Sequence, residues 1–232
     1  MTFLALLALL WQALLSQDVQ ILKHKNLLIT FGTHTANSGA TPVASSSIDT
    51  TGSNLLIVGC KGSGAGYPTL GDSKSNMWTA LTGQNYLGLS SIRLFYSVSP
   101  TVGAGHTFTC THAGDASMAV LVLTFSGATV TPFDKESGAT NQDAGGGGCC
   151  HSFASGSVTP MNDNSLVVSM WGMQTAGFGG DVSSSNVGSL TDHFTGVAAS
   201  VYQIQTSSTA INSTWQVTNE AQYEATAVAV FH

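Results

Sequence analysis

The stretch "SSIDTTGSNLLIVGC" (46–60) decides the fold, because it returns in the second half of the chain as "GSVTPMNDNSLVVSM" (156–170). Laid over each other, the two place Leu56 on Leu166, an offset of 110. A turn rich in Asp, Asn, Gly and Pro runs into a short apolar segment, which is the signature of a β-strand entered from a turn. The same similarity extends outward. "LFYSV" (94–98) with "SMAVLVLTF" (117–125) overlays "SVYQI" (200–204) with "YEATAVAVF" (223–231), placing Tyr96 on Tyr202 and Phe125 on Phe231 at an offset of 106. Self-similarity at a fixed long period is the mark of an internal repeat.

Between residues 20 and 232 the remaining pattern is of one kind. "LLITF" (27–31), "HTFTC" (106–110) and "STWQV" (213–217) are short apolar or alternating runs separated by Gly, Ser, Asn and Pro. No segment there holds a 3.6-residue period for three turns, and strands without intervening helices pair antiparallel. The expectation is an all-β antiparallel sandwich of jelly-roll type over 20–232, with similar halves at about 29–127 and 149–232. The linking segment "ATVTPFDKESGATNQDAGGGG" (128–148) reads as an exposed loop, too polar and Gly-rich for a strand.

Composition narrows the partners. Charged residues make up 8% of the 232, against about 25% in an ordinary globular protein. Hydrophobic residues make up 43%, so a core is available and disorder is not expected. Six Lys and Arg against twelve Asp and Glu give a net charge of −6. That leaves no basic footprint for nucleic acid. A surface solvated by Ser, Thr, Asn and Gly suits an extracellular or virion protein.

The four cysteines include no CxxC pair, so the usual structural zinc site is not encoded. Cys60 and Cys110 lie in apolar runs, and a bridge between them and two buried thiols are equally compatible with the sequence. Cys149 and Cys150 are neighbours, which puts them on opposite faces of any strand and gives His151 no positioned nucleophile. "GCKGSGAGYP" (59–68) has the glycines of a dinucleotide-binding turn but no helix behind it to hold a pyrophosphate. In "HTFTCTH" (106–112), His106, Phe108, Cys110 and His112 share one strand face, yet His106 and His112 stand about 20 Å apart at the usual rise. One ion cannot bridge them, and Phe108 marks that face as core. Asp72 and Asn76 in "DSKSNMW" (72–78) read as an Asx turn rather than calcium ligands. No catalytic residues, metal or cofactor are expected, and the chain reads as a non-enzyme.

"DTTGSNLLIVG" (49–59), "DSKSNMWTAL" (72–81) and "GAGHTFT" (103–109) together resemble a β-sandwich domain found in tailed-phage virion proteins and some secreted bacterial proteins. The resemblance covers about residues 29–231 in pattern. It implies a structural or adhesive role and carries over no catalytic residue.

Residues 1–19 stand apart. "FLALLALLWQALL" (3–15) is shorter than the roughly 20 residues of a membrane span. It lacks the basic start and small-residue cleavage site of a secretion signal. Leu and Ala favour a helix that is apolar on nearly every side, and such a helix must be buried. Phe3, Leu4, Leu7, Leu10, Trp11 and Leu14 are therefore expected to form an assembly anchor, docking with copies of the chain or with other virion proteins rather than a membrane. The functional expectation is a structural protein of a virus particle (a phage decoration, fibre or tail-associated protein). The second reading is a secreted bacterial cell-surface module that binds carbohydrate, such as a host-surface glycan, through Tyr67, Trp171 or Phe178.

Overall fold

The computed structural model describes residues 28–113, 117–142, 151–174, 181–218 and 223–232. Their fold is all-β and sandwich-like, with antiparallel pairing and no helix among them. The N-terminal segment, including the expected helix and the anchor residues from Phe3 to Leu14, lies outside the described residues.

The first half carries β1 (Thr30–Gly39), β2 (Val43–Ala44), β3 (Leu55–Gly62), β4 (Thr69–Asp72), β5 (Thr79–Ala80), β6 (Gln84–Tyr86), β7 (Ser90–Val98), β8 (Phe108–Thr111) and β9 (Met118–Ser126). The second carries β10 (Phe133–Asn141), β11 (His151–Val158), β12 (Ser165–Met173), β13 (Asp181–Ser185), β14 (Leu190–Phe194), β15 (Ala198–Gln205), β16 (Ile211–Thr218) and β17 (Glu224–Phe231). One large sheet runs β1-β9-β3-β7-β5, with β6 also on β7; the other runs β10-β17-β12-β15-β14. Two small sheets run β2-β8-β4 and β11-β16-β13. Strand for strand, the second large sheet repeats the order of the first.

β10 corrects the reading of 128–148 as a loop. Its polar sequence "FDKESGATN" pairs along the whole of β17. An edge strand needs no apolar run, and its counterpart β1, also at a sheet edge, is just as polar over "THTANSG".

Register fixes the correspondence of residues. Leu55 faces Phe125 and Ile57 faces Tyr96, while Leu166 faces Phe231 and Val168 faces Tyr202. Tyr96 therefore matches Tyr202 and Phe125 matches Phe231, but Leu166 matches Leu55, not Leu56. The turn before the strand is one residue longer in the second half, which the repeated leucines hide. A slip of one reverses the face of every side chain. Leu55 and Leu166 share the central core, whereas Leu56 belongs to the cluster under the small sheet.

Among the described residues, three apolar clusters separate four layers, where the sequence led to a sandwich of jelly-roll type. Leu56, Val58, Cys60, Phe108 and Cys110 fill the space between the first small and large sheets. Val167, Trp171, Trp215 and Val217 do the same in the second half. Leu55, Ile57, Leu121, Leu166, Val168 and Ala229 join the two large sheets. β3, β12 and β17 are covered on both faces, so they are buried at every residue and read as mostly apolar runs with a few buried polar side chains.

The central interface is reciprocal. Phe31 and Phe125 from the first half enclose Tyr202 from the second, and Phe133 and Phe231 from the second enclose Tyr96 from the first. At its middle, positions meet their own counterparts. A Cβ on Gly59 would lie 1.9 Å from Sδ of Met170, and one on Gly172 would lie 2.5 Å from Cγ of Lys61. By the register above, Gly59 matches Met170 and Lys61 matches Gly172. Residue i touching j while j touches i is the geometry of an isologous contact.

Candidate functional site

The polar groups that sequence reading singled out in the first half are built into the core. Cys60 and Cys110 are joined in a disulfide, which closes the two open alternatives in favour of the bridge. It ties β3 of the large sheet to β8 of the small one. His106 is fully buried, with Nδ1 3.0 Å from Oγ1 of Thr50 and its ring stacked on Phe108 at 4.2 Å. Its Nε2 lies 3.6 Å from Oδ2 of Asp72. Burial holds the imidazole below its ordinary pKa of 6.5, with Asp72 pulling the other way.

Asp72 has little capacity left for a ligand. Its Oδ1 accepts the amides of Lys74 at 2.8 Å and Asn76 at 3.1 Å, and Oδ2 accepts Nε1–H of Trp78 at 3.0 Å. Burial alone would raise its pKa, but the Asn76 and Lys74 hydrogen bonds and His106 outweigh it and lower the value. This is a turn-capping carboxylate. His112 is buried just past the C-terminal end of β8, while His106 lies before its start. Among the described residues no group of three or more His, Cys, Asp or Glu side chains lies close enough together to hold a metal ion.

Glu224, missed in the sequence because it sits in an apolar run, is a buried acid of the second half. Its side chain is fully buried. Trp171 donates Nε1–H to Oε1 at 3.0 Å, and Oε2 faces Nε2 of His151 at 2.8 Å and Nδ2 of Asn141 at 3.4 Å. Burial raises its pKa, and the His151, Trp171 and Asn141 contacts offset part of that rise. Trp171 is thereby placed inside, so it cannot offer its ring to a glycan; the expectation that it is exposed is corrected. Tyr67 is exposed, with the Arg93 guanidinium 5.3 Å over its ring. Phe178 lies outside the described residues.

A groove opens at one end of the central interface. It is lined by Phe31, His34, Ser189, Leu190, Thr191 and Tyr202, with a volume of about 450 Å³. That is within the size range of small-molecule sites. β1 supplies Phe31 and His34, while β14, the turn before it and β15 supply the rest. Nδ1 of His34 lies 2.8 Å from Oδ1 of Asp192, and Ser200 donates its hydroxyl to Oδ2 at 3.1 Å. Tyr202 stacks on Phe31 at 4.6 Å, and burial raises its hydroxyl pKa. No local pattern announces this site, because 158 residues separate His34 from Asp192. Among the described residues no helix is long and apolar enough to cross a membrane. No protein-family model matches the chain, and no curated protein matches it significantly.

Proposed function

We propose that the chain is a non-enzymatic structural protein of a virus particle, a decoration, fibre or tail-associated component built by duplication of a jelly-roll-type unit. It docks through Phe3, Leu4, Leu7, Leu10, Trp11 and Leu14, with copies of itself and other virion proteins as partners. The observation that carries the reading is the reciprocal apolar interface, which joins two similar units into one block. An apolar segment precedes the edge strand β1 of that block in sequence. The Cys60–Cys110 bridge supports a life outside the reducing cytosol, and the charge-poor surface supports the same setting. The bridge favours the second reading equally: a secreted bacterial surface module for adhesion or carbohydrate binding.

The test is deletion of residues 2–16. The proposal expects the block to stay folded by circular dichroism and to change from an oligomer to a monomer in sedimentation. Buried leucines contribute about 1.5–3 kcal/mol each, so losing several removes the drive to assemble. Leu7→Asp with Leu10→Asp places unpaired charges in the same contact and should act alike. Unchanged sedimentation in both variants would refute the anchor. A native N-terminus starting after about residue 16 would put the secreted reading first.

A further inference from the structure

The two ends of the reciprocal interface differ in chemistry where the fold would make them alike. His34 lies opposite Leu123 and Glu136 opposite Ala229, so His34 and Glu136 are counterparts. The Leu81 amide donates to the Leu94 carbonyl, and Asp192 lies opposite Ser200, so Leu81 matches Asp192 and Leu94 matches Ser200. At one end, Leu81 and Leu94 pack in the central core, and Glu136 accepts the amide and hydroxyl of Thr82 at 2.9 and 2.8 Å. At the other end the leucine pair is replaced by Asp192 and Ser200, with the groove above them. The Asp192 side chain is 8% exposed there.

A carboxylate where its counterpart is leucine is unfavourable for stability unless it is held by donors. Here His34 and Ser200 hold it. Both strands also bulge at this point, β1 between Phe31 and His34 and β14 between Leu190 and Asp192; β10 repeats the first bulge between Phe133 and Lys135, so the β14 bulge is the one particular to this end. The first bulge is pinned by Thr124, whose hydroxyl accepts the Thr33 amide at 2.8 Å and donates to the Thr33 carbonyl at 3.1 Å. A Cβ on Gly32 would lie 2.7 Å from that hydroxyl, so the pinned bulge favours glycine. Bulges that re-aim side chains, and local breaks with an otherwise consistent pattern, gather at functional sites.

We infer that this groove binds a neutral saccharide. No Lys or Arg lines it, so an anion would meet no counter-charge beside Asp192. Asp192 is not among the residues that line the groove, and its two oxygens are turned to His34 and Ser200, so no carboxylate faces the groove to hold a cation. What the groove offers is apolar surface from Phe31, Leu190 and Tyr202 for the C–H face of a sugar ring. It also offers the hydroxyls of Ser189 and Thr191 and the His34 imidazole. With Nδ1 turned to Asp192, Nε2 of His34 is left to pair with a sugar hydroxyl, which can both donate and accept. Asp192 and Ser200 act as positioning residues for that imidazole. The site needs strands from both halves, so it arises only in the joined block.

The test is saturation-transfer NMR on the full chain with the methyl glycosides of glucose, galactose, mannose and N-acetylglucosamine. The inference expects transfer to at least one, reduced at least tenfold in affinity by His34→Gln. Asp192→Leu with Ser200→Leu, which copies the opposite end, should abolish binding and leave the melting temperature equal or higher. The His34 variant changes a partly exposed side chain and serves if the double variant does not fold. No transfer to any of the four sugars would overturn the inference. So would binding that survives both variants, or a lower melting temperature in the double variant with binding intact.

Discussion

Gly59→Ala and Met170→Ala probe the middle of the central interface, where two matching positions are large in one half and absent in the other. The methyl added at position 59 would lie 1.9 Å from Sδ of Met170 and 3.4 Å from a Leu94 methyl, and Met170 is fully buried. Gly59 is not among the positive-φ glycines, so the backbone itself accepts alanine. Overpacking of this kind costs about 1–3 kcal/mol. It is offset in part by the roughly 0.4–1 kcal/mol that Gly→Ala gains from a less disordered unfolded chain. Met170→Ala alone leaves a cavity and should cost about 2–5 kcal/mol. In the double variant the added methyl enters the vacated space, so the clash disappears and the cavity shrinks. The combined loss should fall short of the sum of the single losses by at least about 1 kcal/mol, well beyond the roughly 0.3–0.5 kcal/mol scatter of independent sites. Guanidinium unfolding of the four proteins, with the disulfide intact, gives the coupling directly. Strict additivity would refute the contact and with it the reciprocal packing of the halves.

Further outcomes follow from the buried groups. Reducing the Cys60–Cys110 bridge, which spans 50 residues, should lower stability by about 4 kcal/mol in the chain-entropy account, read as a drop in the guanidinium midpoint on adding a phosphine. Native Glu224 keeps its proton to higher pH than the unfolded chain does, so its contribution to stability is full below its ordinary pKa of 4.5 and declines as pH rises through the raised value. The stability difference between wild type and Glu224→Gln should therefore move in the variant's favour from pH 4.5 upward, and a flat difference would contradict the burial argument. For His106 the sign is opposite. Its depressed pKa means that stability is present above 6.5 and lost as pH falls through the folded value, so urea midpoints should decline on that side and His106→Gln should flatten the decline.

The repeat was legible because apolar strands entered from turns carry the same pattern in both halves, as "LLIVGC" and "LVVSMW" do. Its register was not, since adjacent leucines allow two alignments and only cross-strand pairing separates them. β10 stayed hidden because an edge strand is solvated along one side and carries little hydrophobic signal. The match of Cys60 with Trp171 was equally invisible: a covalent tie and a buried ring fill equivalent outward-facing positions, and nothing local relates them. The groove joins residues far apart in the chain, so its chemistry arises only from the packing of the halves.

The two halves pair through reciprocal aromatic contacts, and nuclear Overhauser spectroscopy on protein with selectively protonated Phe and Tyr rings reads those contacts out. Tyr202 lies 4.6 Å from Phe31 and Tyr96 lies 5.7 Å from Phe133, measured between ring centres. Cross-peaks are expected for both pairs, each joining one half to the other. A folded protein showing Phe31–Phe125 and Phe133–Phe231 contacts within the halves, but neither contact between them, would contradict this pairing.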